Sequence, residues 1–382
     1  MILIYISPIW TGVKDFFLKG STSIYGMPAF YNILIRLLDD IEINKIYFIT
    51  FNKNEIVIPE KYSKKLKVIC LKKINLFSIL KIFFIIRKLV INENIKLIFG
   101  HGSLGFIGSF ISYLLKINSI NRVYGSFLIN EIHKNKFTLF LNHPFQYLTF
   151  KFKSNALFIT NDGTHGDIVF NKIGNTKTKL YFLLNGVERD LQMVTNYKCA
   201  KKHITYIARI DNWKRQDHFI EIMNVAYKNG FNLNSFIIGP IINHDYFILL
   251  KKKISDFGLE NKIFFINHSN HIETLEYLKN SLCTFSLYET SNLGNVFLES
   301  LSFGIPLIAY NVNNSLAVIN QNAFIKINVG DFNLGADMLI KLNDNPSFFN
   351  SISRNALIFA KDNIPTWDTR SEIELNEVYK FI

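Results

Sequence analysis

Two stretches in the second half of the chain carry charged residues at spacings that could bind a phosphorylated ligand. In the first, ITYIARIDNWKRQDHF at 204–219, an apolar run that predicts a strand ends at Ala208. Arg209 and Lys214 follow in the loop before a predicted helix. Two cations at the carboxyl end of a strand can hold a diphosphate and stabilise charge on a leaving phosphate. An ordinary basic surface loop would have the same spacing, so both interpretations stay open.

The second stretch, LYETSNLGNVFLESLSFG at 287–304, joins a predicted strand to a predicted helix. Gly294 permits close approach to the backbone, and the free N–H groups at a helix start attract anions. Glu299 lies more than one turn inside the helix, too deep to cap it. Its carboxylate could accept hydrogen bonds from two vicinal hydroxyls such as those of a ribose, or it could simply face solvent. Glu289 precedes it by ten residues.

Other ligand-binding motifs are weak in this sequence. It contains no G-x-x-x-x-G-K-[ST] loop, and the glycines of GSLGFIG at 102–108 are misplaced for a dinucleotide fingerprint. Cys70, Cys199 and Cys283 lie far apart and have neither metal-binding nor redox spacing, which fits a reducing compartment.

Composition indicates a large folded protein with one basic half. The chain has 382 residues, 49% of them hydrophobic, and a net charge of +13. Such a length suits two domains. Nearly all of the excess charge lies in residues 1–200, which favours an anionic partner, either nucleic acid or an anionic membrane surface, unless it is a solvated basic face. No nucleic-acid module is recognisable, so we expect no nucleic-acid partner.

The run LFSILKIFFIIRKLVI at 76–91 is the nearest approach to a membrane span. Lys81, Arg87 and Lys88 interrupt it, and it is too short and too charged to cross a bilayer. A crossover helix packed on a sheet and an interfacial helix with its aliphatic face in lipid both fit the pattern. MILIYISPIW at the start has no basic leader and predicts a strand, so we expect a cytoplasmic protein.

Apolar runs typical of strands alternate with helical patterns, which predicts βαβ units and parallel sheets. The polar segment 185–202 predicts a linker between two doubly wound α/β domains, 1–184 and 203–365. Two such domains would face a cleft, with ligands beyond the carboxyl ends of the strands. The predicted strands fall near 1–6, 45–51, 66–71, 95–99, 121–124, 156–160, 179–183, 203–208, 235–239, 262–266, 282–287 and 306–310. The predicted helices fall near 27–39, 74–92, 104–117, 215–229, 244–257, 271–280, 294–303 and 332–343.

Several stretches match, in order, the motifs of a known enzyme family. They are LLNGVERD, YIARIDNWKRQDHFIEI, FIIG, LGNVFLESLSFGIPLIAYNV, NVGDFNLGADMLIKLNDNP and WDTRSEIELNEVYKF. Together they resemble the second domain of retaining GT-B glycosyltransferases of the large fourth family. The resemblance covers about 180–382 well and the first half more loosely. It implies two Rossmann-like domains and a last helix, 366–382, that crosses back to the first.

The resemblance assigns roles to residues of the second half. Arg209 and Lys214 match the basic pair that grips the donor diphosphate and stabilises its departure. Glu299 matches the second glutamate of an E-x7-E motif, which binds the nucleotide ribose, and Ser291 stands where the first glutamate is common. The residues that the resemblance assigns to donor binding are Glu299, Ser291, Asn292, Gly294, Asn295 and Val296.

In the first half, loops after predicted strands match positions that line the cleft in the family. His101, in FGHGSLG, could bond a donor-sugar hydroxyl or line the acceptor site, which makes it a third candidate catalytic residue. Tyr124 stands where a histidine is common. Asp162 could equally belong to a capping turn. The candidate cleft residues are Gly20, Gly26, Asp162, Tyr124 and Asn185.

The resemblance implies transfer of a sugar from a nucleotide diphosphate to a hydroxyl with retention of configuration, without a metal or cofactor. With the basic first half, it favours a glycan or lipid-linked acceptor at the inner face of the cytoplasmic membrane. O-antigen, lipopolysaccharide or capsule synthesis would be the setting. Two alternatives stay open: a binding or scaffold protein with a degenerate donor site, which Ser291 and Tyr124 favour, and a sugar-nucleotide epimerase on the same fold.

Overall fold

The computed structural model describes residues 1–9, 13–22, 28–188, 203–267, 270–310, 312 and 315–382. The chain divides into two compact units, unit 1 (Met1–Leu184 with Trp367–Ile382) and unit 2 (Asn185–Thr366). The strands are β1 (Ile2–Ile6), β2 (Lys45–Phe51), β3 (Leu66–Leu71), β4 (Leu97–His101), β5 (Asn118–Val123), β6 (Ala156–Thr160), β7 (Lys179–Leu183), β8 (His203–Ile207), β9 (Asn234–Ile238), β10 (Ile263–Ile266), β11 (Ser281–Ser286), β12 (Leu307–Tyr310) and β13 (Ile325–Ile327). The helices are α1 (Lys14–Lys19), α2 (Asn32–Asp39), α3 (Leu76–Glu93), α4 (Gly105–Leu115), α5 (Lys136–Asn142), α6 (Pro144–Lys151), α7 (Gly166–Ile173), α8 (Gln216–Lys228), α9 (His244–Asp256), α10 (His271–Lys279), α11 (Asn295–Phe303), α12 (Phe332–Asp344), α13 (Pro346–Asn363) and α14 (Trp367–Tyr379).

Unit 1 is built on a parallel sheet with the order β3-β2-β1-β4-β5-β6-β7. Side chains alternate between the two faces of a strand, so both faces of this sheet have a core. Leu3 and Tyr5 pack on the face covered by α2 and α14, whereas Ile4 and Ile6 pack on the face covered by α3 and α4. Because both faces are buried, the strands appear in the sequence as nearly continuous apolar runs.

Unit 2 has a second parallel sheet, with the order β10-β9-β8-β11-β12-β13. Strand β8 is paired with β9 on one side and with β11 on the other. The connection after β8 therefore leads to one side of the sheet and the connection after β11 to the other. This is the topological switch point, where doubly wound sheets bind ligands beyond the carboxyl ends of their strands. The predicted fold class, two doubly wound parallel α/β domains, is confirmed in each unit.

The element predictions omit one strand and several helices of the structure, namely β13, the short helices α1, α5, α6 and α7, and the 18-residue helix α13. Strand β13 has only three residues and was not predicted. Helices α5 and α6 were also not predicted, because they are short and only His143 separates them. Of the predicted linker, 189–202 lies outside the described residues, and 185–188 belongs to unit 2.

The last helix, α14, packs in unit 1 through a buried charge cluster. Glu374 is fully buried, and its Oε2 accepts a hydrogen bond from Arg122 Nη1 at 3.1 Å. Arg370, one turn earlier on α14, also donates to Glu374, and its Nε donates to the Leu184 carbonyl at 3.0 Å. A buried guanidinium without a carboxylate costs several kcal/mol. Glu374 is therefore needed for unit 1 to fold around Arg122.

Helix α3 is a crossover helix packed on the first sheet. Ile82 and Ile86 are completely buried against β1 and β4, while Phe77 and Phe84 face outward. None of the helices within the described residues combines the length and the apolar character needed to cross a membrane.

Candidate functional site

The loop after β8 fixes the backbone of Arg209 and leaves its side chain exposed. Gly239, just after β9, has a φ of +149° and lies against this loop. A Cβ at Gly239 would lie 3.1 Å from the Arg209 nitrogen and closer still to the Ala208 carbonyl, so a glycine is required there. On the other side, Gln216 Nε2 donates to the Arg209 carbonyl at 2.8 Å.

Lys214 lies between two aromatic rings at the end of the same loop. Its Nζ is 3.6 Å from the ring centroid of Trp213 and 3.6 Å from that of Tyr288, which follows β11. Arg209 Cζ lies 5.8 Å from the Trp213 ring, so one indole contacts both cations. Rings in these positions attract cations through their quadrupoles. Burial raises the pKa of Tyr288, and the charge of Arg209 acts in the opposite direction. The two cations are thus close enough to act on one diphosphate.

Glu289 pairs with a cation and is not a second acid of the site. Its carboxylate contacts Arg215, the residue after Lys214, which has a left-handed φ of 56°. Arg215 also pairs with Asp217 in the first turn of α8, at 3.2 Å. The three residues join the loop after β11 to the loop after β8. Because the ion pair is partly exposed, it positions these loops more than it stabilises the fold.

The loop between Ser291 and Asn295 is held from both sides. Ser291 has a φ of 53°, the left-handed conformation. Asn292 is 1% exposed, and its side-chain amide donates to the carbonyl of Tyr310 at the end of β12. Asn185 Nδ2 donates to Asn295 Oδ1 at 2.8 Å. Four of the residues predicted to bind the donor lie in this loop, namely Ser291, Asn292, Gly294 and Asn295. The side chain of Asn292, however, points into the protein.

Gly294 leaves open space in front of α11. It is the N-cap, with a φ of −88° and a ψ of −179°, an extended conformation that any residue adopts. No atom lies within 4 Å of a Cβ built on it. The protein itself therefore does not require a glycine here. Val296 and Asn295 are partly exposed in the first turn, where helix geometry leaves the first N–H groups without a partner inside the helix. The next N–H, that of Phe297, donates to the Gly294 carbonyl at 3.1 Å. This arrangement suits an anion at the helix start.

Gly294→Leu is expected to leave the fold intact and to weaken nucleotide binding at least about tenfold, because the side chain would occupy the space in front of α11. Gly294→Ala should have a smaller effect in the same direction. Calorimetric titration with nucleoside diphosphates measures affinity, and the melting temperature checks the fold. Wild-type affinity in Gly294→Leu would show that the ligand does not approach α11.

Glu299 lies in the second turn of α11 and is 4% exposed. Burial raises its pKa to about 8, and the negative charge of Glu188 contributes in the same direction. His271 Nε2, at the start of α10, lies 3.7 Å from Glu299 Oε1, and burial lowers the pKa of this imidazole. Near neutral pH the carboxyl is therefore mostly protonated. A ligand that donates hydrogen bonds to both oxygens would favour its ionised form.

His101 is enclosed in unit 1 and does not reach solvent. It is 0% exposed at the end of β4. The Tyr124 hydroxyl donates to the Ala29 carbonyl at 2.9 Å, so it accepts from His101 Nδ1 at 3.1 Å. Nε2 then accepts from the Tyr5 hydroxyl at 2.7 Å. Burial and the charge of Arg122 hold the pKa of this imidazole well below its usual range. Both ring nitrogens of His101 are thus hydrogen-bonded inside unit 1, and its contact with a substrate stays a prediction.

The other predicted cleft residues of unit 1 lie in turns. Asp162 Oδ1 accepts from the hydroxyl and the backbone N–H of Thr164, at 2.6 and 3.1 Å, which is a local turn. Gly20 follows α1 with a φ of +66°, where glycine is favoured. Gly26 lies outside the described residues.

The sequence interpretation does not assign Trp213, Tyr288, Arg215 or Glu188 to the site. Trp213 and Arg215 flank Lys214, and an aromatic beside a predicted phosphate-binding cation was a usable signal. Nothing in the sequence pointed to His271 beside Glu299. Among the described residues, no group of three or more His, Cys, Asp and Glu side chains could hold a metal ion. A reaction without a metal or cofactor stays a prediction.

Comparison with known proteins adds to this geometry. Crystal structures of HepE from Anabaena, one in complex with UDP and another with UDP-glucose, cover 100% and 99% of this chain. The UDP complex is 12% identical with a TM-score of 0.71, and all of that chain is covered. WaaG, a glycosyltransferase involved in lipopolysaccharide biosynthesis, is 11% identical with a TM-score of 0.65 over 98% of this chain and 99% of its own. The fold is GT-B. This confirms the predicted fold class.

The second half of the chain matches a family model. Residues 192–356 match the family described as glycosyl transferases group 1. An uncharacterized glycosyltransferase of Haemophilus influenzae is 23% identical over 170 residues. That match covers 43% of this chain and 46% of the relative, so it spans about half of the relative's length.

Proposed function

We propose that this protein is a glycosyltransferase that transfers a sugar from a nucleoside-diphosphate donor to a hydroxyl group. The observation that carries the proposal is the meeting of three features at the switch point of unit 2: Arg209 and Lys214 around one indole, the open start of α11, and the buried carboxyl of Glu299. The two cations suit the diphosphate of such a donor, and the open start of α11 suits its phosphate and sugar. The carboxyl of Glu299 suits the ribose.

The proposed reaction retains the anomeric configuration. The bond between the anomeric carbon and the diphosphate oxygen breaks, and the acceptor oxygen bonds to the same face of that carbon. The acceptor proton passes to the departing phosphate oxygen. Arg209, Lys214 and the N–H groups of α11 stabilise the charge that develops there. The mechanism needs no pair of carboxylates, which agrees with the pairing of Glu289 and Arg215.

The acceptor is proposed to be a glycan or lipid-linked glycan at the cytoplasmic face of a membrane, in synthesis of a surface polysaccharide such as O-antigen, lipopolysaccharide or capsule. The basic charge of residues 1–200 supports an anionic surface. The likeness to WaaG is compatible with this setting.

Titration with a panel of nucleoside diphosphates and their sugars tests the proposal, beginning with UDP and UDP-glucose because HepE structures hold them. We expect saturable binding in wild type and its loss in Gly294→Leu. Nuclear magnetic resonance of the donor then separates two activities. Sugar release that depends on an acceptor supports a transferase, whereas conversion of the donor sugar without acceptor indicates an epimerase. Absence of binding to every nucleotide would contradict both.

A further inference from the structure

The outward face of α3 carries large apolar side chains that the protein leaves exposed. Phe77, Phe84 and Ile91 are 81%, 61% and 69% exposed. They are spaced by seven residues, two helical turns, so they form one stripe along the helix. Ile82 and Ile86, on the opposite face, are completely buried. The stripe is therefore surplus to the core of unit 1, and apolar stripes of this kind mark interaction surfaces.

Cations lie between the apolar residues of the stripe. Lys81, Arg87 and Lys88 are all exposed on the same side of α3. The carboxylate of α3, Glu93, is in its last turn, where it pairs with Lys45 at 2.9 Å. The outward face thus combines phenyl rings and positive charge. Lysine and arginine side chains can lie along an apolar surface while their charged ends reach outward to anionic groups.

The neighbouring helices continue this character on the same face of the sheet. Helix α4 packs between α3 and α6, and α6 packs on α5. We call α3–α6 the outer helical layer. Tyr113, Phe137 and Leu141 in this layer are 69%, 70% and 59% exposed. Between residues 72 and 153 the sequence has twelve Lys and Arg but only two Glu. Of these cations, Arg122 does not belong to the layer, because it is buried in β5 and paired with Glu374. The layer is therefore strongly positive along its length.

We propose that the outer helical layer, with the α3 stripe at its centre, docks this protein on an anionic lipid bilayer. The phenyl rings of Phe77 and Phe84 would enter the interfacial region, and Lys81, Arg87 and Lys88 would contact lipid phosphates. Helices that lie in a bilayer interface have aromatic and aliphatic residues with flanking cations, and binding depends on both.

Two other occupants fit this surface less well. A second copy of the chain would bring two positively charged layers together, and like charges facing each other oppose association. Nucleic acid would match the cations but would leave the exposed phenyl rings without an apolar partner. An anionic bilayer satisfies the cations and the rings together.

This inference deepens the proposed function, since it names the surface at which a lipid-linked acceptor is met. Only the statement about the acceptor rests on the proposed function, because binding of the protein to lipid needs neither a sugar donor nor sugar transfer. The docking surface belongs wholly to unit 1, whereas the proposed nucleotide site belongs to unit 2. The two can therefore fail separately.

Co-sedimentation of the full chain with vesicles tests the proposal. One set contains phosphatidylcholine with phosphatidylglycerol, and the other phosphatidylcholine alone. We expect binding to the anionic vesicles that weakens at about 0.5 M NaCl. Phe77→Ser with Phe84→Ser should weaken it about tenfold or more, and Lys81→Glu with Lys88→Glu should do the same. Nucleotide affinity should stay unchanged in both double variants, because the nucleotide site lies in unit 2. An unchanged melting temperature checks that unit 1 is folded.

A matched control lies on α9 in unit 2, where Ile248 and Leu249 are 64% and 52% exposed beside Lys251 and Lys252. Ile248→Ser with Leu249→Ser, and Lys251→Glu with Lys252→Glu, should bind vesicles like wild type. Equal vesicle binding by the α3 and α9 variants would overturn the proposal. Two further results would overturn it. One is that the α3 variants lose binding to duplex DNA but keep binding to vesicles. The other is that the protein binds no vesicles and forms a dimer in lipid-free solution that Phe77→Ser with Phe84→Ser dissociates.

Discussion

Arg209→Ala is expected to lower the rate of sugar transfer at saturating donor by about 10³-fold, the loss typical of removing one group that stabilises transition-state charge. The side chain is exposed at the end of β8 and shares the Trp213 ring with Lys214. Its guanidinium would meet charge that grows on the departing diphosphate. Because this charge is larger in the transition state than in bound donor, turnover should fall more than affinity.

The matched control for this prediction is Arg354→Ala. Arg354 is an exposed arginine of α13 in the same unit, so its removal changes net charge equally and should leave turnover unchanged. Arg209→Lys should recover part of the rate, since it keeps the charge but not the two-pronged hydrogen bonding of a guanidinium. Turnover within tenfold of wild type in Arg209→Ala would remove this residue from the chemical step.

Donor binding is expected to tighten about tenfold between pH 7 and pH 9, because Glu299 must ionise to accept hydrogen bonds from both ribose hydroxyls. Its pKa is raised to about 8 in the free protein, so most of the carboxyl is protonated at pH 7. Calorimetry in buffers of different ionisation enthalpy should detect the release of nearly one proton per nucleotide at pH 7. Glu299→Gln should bind weakly and with no pH dependence in this range, whereas a flat wild-type profile would contradict the assignment.

The same carboxyl should make the unliganded protein less stable as the pH rises. With a pKa of about 8 when folded, against an ordinary value of 4.5, the folded state holds a proton that the unfolded state has lost. The free energy of unfolding therefore falls by about 1.4 kcal/mol per pH unit between these values, ~5 kcal/mol in total. Glu299→Gln should match wild type near pH 4.5 and exceed it at pH 8. Equal stability of the two proteins at pH 8 in denaturant titrations would contradict this.

The switch-point loops of unit 2 could be predicted from the sequence because local patterns define them. An apolar run followed by Arg209 and Lys214 specifies a strand and then a loop, and the start of α11 follows from Gly294 and the helical period after it. The contact between the two loops depends on strand order. The first residues of β8 and β11, His203 and Ser281, are 78 residues apart in the chain and come together only through pairing in the sheet. No local pattern therefore shows that Lys214 reaches Tyr288.

Burial could not be predicted from local patterns in unit 1. A histidine after a strand looks like a loop residue, yet His101 is enclosed by Tyr5 and Tyr124, which lie 96 and 23 residues away in the chain. The pairing of Glu289 with Arg215 was missed for the same reason, since its partner is on another loop. Side chains that are fixed by distant segments carry no signal at their own position.

The place of α14 in unit 1 has a consequence for the order in which this protein can fold during synthesis. A ribosome makes residues 1–184 before unit 2, but Glu374, the counter-charge of the buried Arg122, is made only after unit 2. Until then the nascent first unit must keep this guanidinium hydrated, which leaves its sheet incompletely closed. Unit 2, whose segment is contiguous, can fold before its predecessor. Unit 1 is therefore completed after unit 2.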